Sequence, residues 1–236
     1  MTLQENLEIL SNLTHVTADM NYLVPMTERP RNYTFEPPAG VPRTNAEHEA
    51  HAVKIRDARP IADHVSLDAN GFALLQHRSA VKDFFDDEEV RRVHIDHTAR
   101  SGPQRVRDLL PDEAEELLKG RVQVINLWRP IKGPLQDSPL AVCDATTIHS
   151  DDLVPSDLVY PHRVGETYSV KYNPTHRWYY VPQMQTDEAL LLKCSDTSTG
   201  VPARFTPHSA FTDPTAAADA PPRESIEVRT LVFHRS

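Results

Sequence analysis

Prolines outnumber glycines almost three to one in this chain, 20 against 7, and they are dispersed along it rather than gathered in one block. Pro130, Pro134, Pro139, Pro155, Pro161, Pro174, Pro182, Pro202, Pro207, Pro214, Pro221 and Pro222 fall between short runs of β-branched and aromatic residues. Proline fixes φ and removes a backbone donor, so it is excluded from helix interiors and central strand positions but serves turns well. A chain punctuated in this way is restricted to many short strands joined by stiff loops.

The runs themselves carry that reading. From Val122 onward, "VQVINLWRPI", "PLAVCDATTI", "ETYSVKYN", "HRWYYVPQM", "EALLLKCSD", "ARFTPHSAF" and "SIEVRTLVFHR" are strand-like, and "IHSDDLVPSDL" is expected to be a polar loop. Earlier, "AHAVKIRDAR" and "GFALLQHRSAV" are expected strands, with "LDANG" as a turn. "VKDFFDDEEVRR" resembles a short acidic helix. In "PQRVRDLLPDEAEELLKGR", Val106, Leu109, Leu110, Ala114, Leu117 and Leu118 follow helical spacing, with a break at Pro111 and a stop at Gly120. No strand–helix–strand alternation appears, so a parallel doubly wound sheet is disfavoured. The expected fold is mainly β with flanking α-helices, a double-stranded β-helix of the jelly-roll, cupin-like kind.

At 236 residues the chain is long enough for one such domain with a real core. Residues 1–45 include the proline-rich "TERPRNYTFEPPAGVPRTN" and are expected to form a partly extended arm after a short N-terminal helix. Residues 46–236 would be the β-helix domain. The net charge of −9 and the lack of a long basic run argue against nucleic acid as a partner. No secretory leader or membrane-spanning run is visible, so no membrane partner is expected and the cytoplasm is the expected location. Two cysteines, Cys143 and Cys194, argue against a disulfide framework or a thiolate metal cluster.

The chemistry centres on "VHIDHT", residues 93–98. Side chains at i and i+2 of a strand share a face, so His94 and Asp96 can both line one cavity. They would supply two ligands of a 2-His-1-carboxylate triad, which leaves one side of an iron(II) ion open to cosubstrate and dioxygen. His97 is expected to stay outside the ligand set, and a second His-x-Asp at His149 and Asp151 lies in the polar loop. A third ligand must come from far along the chain. His208 in "TPHSAF" is preferred because Arg223 in "PPRESIEVR" follows it by 15 residues. An arginine fork pairs bidentately with a carboxylate such as the distal end of 2-oxoglutarate. Ser225 and Arg229 share Arg223's side of a strand, Ser225 as a second contact and Arg229 as a fallback cation. His176 is the rival third ligand, but the next cation of any use after it is Lys193. Asn126, Trp128 and Arg129 are candidates for contacts to substrate or cosubstrate. In "HRWYY", alternation sends Trp178 and Tyr180 one way and Tyr179 the other, with one set expected in the core.

The ordered series "GRVQVINLWRPIKGPLQDSPLAVCDATTI", "DLVPSDLVYP", "YNPTHRWYYVPQM", "LLKCSD", "ARFTPHSAF" and "PPRESIEVRTLVF" resembles the gibberellin-desaturase / cephem-methoxylase family. The likeness runs from about residue 93 to the C-terminus and is looser over residues 20–90. It implies an iron(II)- and 2-oxoglutarate-dependent oxygenase. Such an enzyme hydroxylates or desaturates a small secondary metabolite by hydrogen-atom abstraction, with dioxygen as co-reactant. By position, the resemblance implies iron on His94, Asp96 and His208 and 2-oxoglutarate on Arg223 and Ser225. The likeness is interrupted once: "FFDDEEVRR" runs straight into "VHIDHT", where members of the family resemble one another in having a longer connection. Two alternatives remain open at the level of sequence. One is an iron enzyme on the same fold that does not use 2-oxoglutarate. The other is a non-catalytic β-sandwich that binds a small molecule.

Overall fold

The structure is a computed structural model that describes residues 12–86 and 102–234. His94, Asp96 and His97, the end of the acidic segment and the expected N-terminal helix up to residue 11 lie outside the described residues.

Twelve strands are described. They are β1 (His15–Leu23), β2 (Arg31–Tyr33), β3 (His48–Asp57), β4 (Phe72–Gln76), β5 (Val122–Pro130) and β6 (Leu140–Cys143). The second half adds β7 (Leu153–Tyr160), β8 (Arg163–Val170), β9 (Trp178–Tyr180), β10 (Glu188–Asp196), β11 (His208–Ala210) and β12 (Ser225–Phe233). Two helices, α1 (Gly102–Leu109) and α2 (Ala114–Leu117), precede β5. The strands form a five-stranded sheet β1-β3-β9-β6-β11, a four-stranded sheet β12-β5-β10-β4 and a three-stranded sheet β2-β7-β8. Neighbours distant in sequence pair within the two larger sheets, which curl and face each other as a jelly roll.

The inner seam is apolar. Phe72, Trp128, Leu190 and Leu192 of the four-stranded sheet pack against Leu140, Val142 and Tyr179 of the five-stranded sheet. Burial of side chains of this size stabilises by roughly 1.5–3 kcal/mol each, so this seam is a main hold between the sheets. Alternation at "WYY" places both sets in a core. Tyr179 faces the seam, while Trp178 and Tyr180 enter a second cluster with Met20, Tyr22, Ile55 and Phe211 on the opposite face. The expectation of one core set was too narrow because the five-stranded sheet is covered on both sides.

Other expectations are corrected as well. "IHSDDLVPSDL" is not a loop throughout, since Leu153–Tyr160 is β7 and pairs antiparallel with β8 along its whole length. Pro155 is tolerated because β2 reaches only Asp157 to Val159, leaving β7 with one neighbour at the proline. The described part of the acidic segment, residues 81–86, is irregular rather than helical. The helical stretch does break at Pro111, and Val106 and Ala114 are buried against Val122, Leu231 and Phe233, but Leu109 is exposed. This helical pair covers one end of the four-stranded sheet. Within the proline-rich arm, His15–Leu23 is a full strand, paired residue for residue with β3.

Candidate active site

Directly opposed residues of antiparallel strands share a face. On the five-stranded sheet, Val142 opposes both Tyr179 and His208. His208 therefore lies on the face that carries Val142 and Tyr179 into the seam. On the four-stranded sheet, Trp128 opposes Leu190 and Glu227, Asn126 opposes Leu192 and Arg229, and Ser225 opposes Pro130. Asn126, Trp128, Ser225, Glu227 and Arg229 thus share the face that meets the seam through Trp128, Leu190 and Leu192.

His208 is half-buried. Its Nδ1 lies 3.0 Å from the carbonyl oxygen of Thr206. A carbonyl only accepts, so Nδ1–H donates; in the neutral ring Nε2 then carries the lone pair, the arrangement a metal-ligating imidazole requires. Arg223 donates through Nη1 to the carbonyl oxygen of Ser138 at 2.7 Å, and its guanidinium carbon stands 5.9 Å from the centre of the Trp128 ring. Both contacts leave part of the guanidinium fork available to an anion, and neither neutralises its charge.

Arg229 is engaged differently. Its Nε donates to Asn126 Oδ1 at 3.0 Å and its Nη2 lies 3.7 Å from Glu227. Asn126 is fully buried and donates its amide to Glu227 Oε1 at 2.6 Å. These three side chains hold one another in place. Glu227 joins the functional candidates through this network. Its signal was present, since Ser225, Glu227 and Arg229 follow one another at the strand period of two.

Arg129 is separated from Asn126 and Trp128. It alternates to the other face of β5, is 1% exposed, and donates to the carbonyl oxygen and Nδ1 of His77 at 3.0 and 2.7 Å. Burial pushes its pKa down, with Asp187 opposing. Lys193 is not an available cation either, because its fully buried ammonium is paired with Asp68 and Asp196 at 2.7 and 2.6 Å.

His176, the rival ligand, belongs to a different network. Its Nε2 is 3.1 Å from Asp152, and its Nδ1 is 3.3 Å from the Tyr22 hydroxyl, which accepts from Trp178 Nε1 at 2.7 Å. Burial holds His176 below the usual histidine range, with Asp152 opposing. Both imidazole nitrogens are occupied, on the face of the sheet away from His208. His149 caps a short 3-10 turn, Ser150–Asp152, that contains Asp151, and Asp152 accepts from the backbone N–H of His149 at 2.8 Å. Among the described residues, no three His, Cys, Asp or Glu side chains are grouped to hold a metal. His208 is described without His94 and Asp96, so the triad as a whole has no described geometry.

A family model described as an oxidoreductase/YMDC permease-like domain matches residues 20–93 and 89–233. The hydroxylase/desaturase asaB of Aspergillus flavus is 36% identical over 200 residues, covering 78% of this chain and 81% of that protein. The chain belongs to this hydroxylase/desaturase family. The aspirochlorine biosynthesis protein N of Aspergillus oryzae is 46% identical over 136 residues, a span of 56% of this chain and 57% of that family member. Among solved structures, the iron and alpha-ketoglutarate-dependent endoperoxidase NvfI superposes with a TM-score of 0.81 at 27% identity, over 93% of this chain and 98% of that one. The two segments matched by the family model overlap at residues 89–93, immediately ahead of His94, where the sequence is expected to be shorter than its relatives.

Proposed function

We propose that this family member is an iron(II)- and 2-oxoglutarate-dependent oxygenase that hydroxylates or desaturates a small secondary metabolite. In this reading His94, Asp96 and His208 hold the iron, and Arg223 with Ser225 holds the far carboxylate of 2-oxoglutarate. Arg229 becomes part of the wall rather than the cosubstrate cation, since Asn126 and Glu227 already engage it. The observation that carries the reading is the state of His208 on the seam face. With Nδ1–H directed at a backbone carbonyl, the neutral ring would offer Nε2 to the iron.

When bound, iron(II) with 2-oxoglutarate and dioxygen supplies the oxidation of an unactivated C–H bond, and the cosubstrate departs as succinate and carbon dioxide. The chain's own contribution is placement and exclusion of water. The Arg223 fork orients the cosubstrate through a bidentate contact that lysine does not reproduce. Ser225, the first residue of β12 and two beyond Arg223, would donate its hydroxyl to the same carboxylate. Trp128, 4% exposed in the seam, forms an apolar floor beneath Arg223 and keeps water from that side. Glu227, held at 2.6 Å by the buried Asn126, offers a part-exposed carboxylate that a substrate hydroxyl or amine would meet.

Calorimetric titration of the iron-loaded, oxygen-free protein with 2-oxoglutarate tests the reading. Saturable binding that weakens at least tenfold in Arg223→Ala is expected. Absence of binding to the wild type would return the chain to iron chemistry without 2-oxoglutarate.

A further inference from the structure

The short segment from Ala203 to Pro207 delivers His208 to β11, and it is tied at nearly every residue. Ala203 donates its N–H to the carbonyl oxygen of Asp68 at 3.0 Å, and its own carbonyl accepts from Lys193 Nζ at 3.0 Å. Arg204 reaches the carbonyl oxygen of Asp196 through Nε and Nη2 at 3.2 and 3.1 Å. The Thr206 N–H donates to the carbonyl oxygen of Lys193 at 2.8 Å, and the Pro207 carbonyl accepts from the Cys143 N–H at 2.8 Å. Lys193 therefore grips this segment twice, once with its side chain and once with its backbone.

Lys193 is 0% exposed, and all three donors of its ammonium are used, on Asp68, Asp196 and Ala203. Arg121 completes a balanced group of two cations and two carboxylates by bridging Asp68 and Asp196. Lys193 and Asp196 are its buried half, and a buried ion pair is often no more stabilising than a well-packed apolar pair of the same volume. What it adds is direction, because three acceptors fix an ammonium and the ammonium in turn fixes each acceptor. Two residues beyond the gripped Thr206 stands His208, bonded back to the Thr206 carbonyl.

We propose that Lys193 is a positioning residue for His208, setting through the 203–206 segment the ring orientation and tautomer that present Nε2 to the metal. The inference rests on the reading of His208 as a ligand. Its test uses the metal alone, with cobalt(II) as a spectroscopic probe in the full-length protein. In the wild type, nitrogen-15 NMR of the metal-free protein should find His208 protonated on Nδ1. The charge-balanced variant Lys193→Met/Asp196→Asn keeps Arg121 paired with Asp68 and frees the Ala203 carbonyl. It should melt as a folded protein, populate both His208 tautomers and bind cobalt(II) about 10–100-fold more weakly, the usual effect of losing a partner that orients a ligand.

A folded double variant with unchanged tautomer and cobalt affinity overturns the inference, as does a wild-type His208 protonated on Nε2, a result that needs no variant. His208→Ala separates the two ideas. If it binds cobalt like the wild type, the ligand reading fails and the inference with it. If it loses cobalt while the double variant keeps it, the inference alone fails.

Discussion

Gly71 and Thr206 touch so closely that a Cβ placed on Gly71 would lie 1.7 Å from Thr206 Oγ1. Gly71 also sits at φ +85°, in the left-handed region that costs other residues roughly 1–2 kcal/mol. The contact joins the turn before β4 to the segment before His208, and the Gly71 carbonyl accepts from the Lys193 N–H at 2.8 Å. Gly71→Ala is expected to lower stability in urea unfolding by more than the backbone cost alone. Thr206 Oγ1 is buried with no partner among the described residues, so Thr206→Ala should stay within about 1 kcal/mol of the wild type. Combined with Gly71→Ala, it should recover part of the loss. An additive pair of effects would show that the overlap is relieved elsewhere.

The two arginines of β12 and its approach should separate kinetically. Among the described residues, Arg223 has one bond to a backbone carbonyl and an aromatic face beside it, whereas Arg229 is knitted to Asn126 and Glu227. Arg223→Ala should raise the KM for 2-oxoglutarate by at least tenfold while leaving the melting temperature within a few degrees. Arg229→Ala should do the reverse, lowering the melting temperature because Asn126, fully buried, loses an amide partner. Succinate formation against 2-oxoglutarate concentration and thermal melts of both variants decide it. If Arg229→Ala alone moves the KM, the roles are exchanged.

The fold was legible because strand period and proline punctuation are local signals, and β5, β10 and β12 coincide with the runs read from sequence. β7 was missed because its proline is tolerated only where the neighbouring strand stops, a fact of register rather than of composition. Alternation puts Asn126 and Trp128 on one face of β5, whereas the placing of Ser225 beside them and of His208 on the facing sheet comes only from strand register. Arg129 does not join them, because the same alternation that turns Trp128 inward turns Arg129 away, and the two were grouped by adjacency in "LWR". Lys193 offered only a charge in a strand-like run. Its role depends on Asp68, which is 125 residues away in sequence, and no local pattern encodes that meeting.

The group around Lys193 sets an acid limit on stability. Burial pushes Asp196 up, but Arg121, Lys193 and the Ser198 N–H more than reverse this and hold it far below the usual range. Asp68, beside Arg121 and Lys193, is held down at about 2. A carboxyl whose folded pKa is depressed contributes stability above its ordinary pKa near 4, and that contribution disappears as pH falls through the folded value. Acid unfolding is therefore expected to steepen below about pH 4. Asp68→Asn should be less stable at pH 7 and lose less between pH 4 and pH 2, as followed by circular dichroism. Parallel acid curves for the two proteins would remove Asp68 from this role.

The Asp152–His176–Tyr22 network makes the opposite face of the five-stranded sheet sensitive to milder acid. Burial holds His176 below its ordinary pKa near 6.5, so the folded protein keeps the ring neutral where the unfolded chain begins to protonate it. The unfolded state then binds more protons, and stability falls as pH drops below about 6.5. The neutral ring fits its neighbours, since Nε2–H can donate to Asp152 at 3.1 Å while Nδ1 accepts from Tyr22 at 3.3 Å. The charged groups facing it act in both directions, because Asp152 favours protonation and His149 opposes it. His176→Gln should be less stable than the wild type at pH 7.5 and should lose less of its melting temperature between pH 7.5 and pH 5.5. Because His176 lies on the face away from His208, the same variant should keep the wild-type affinity for cobalt(II). Loss of the metal in His176→Gln would restore His176 as the rival ligand.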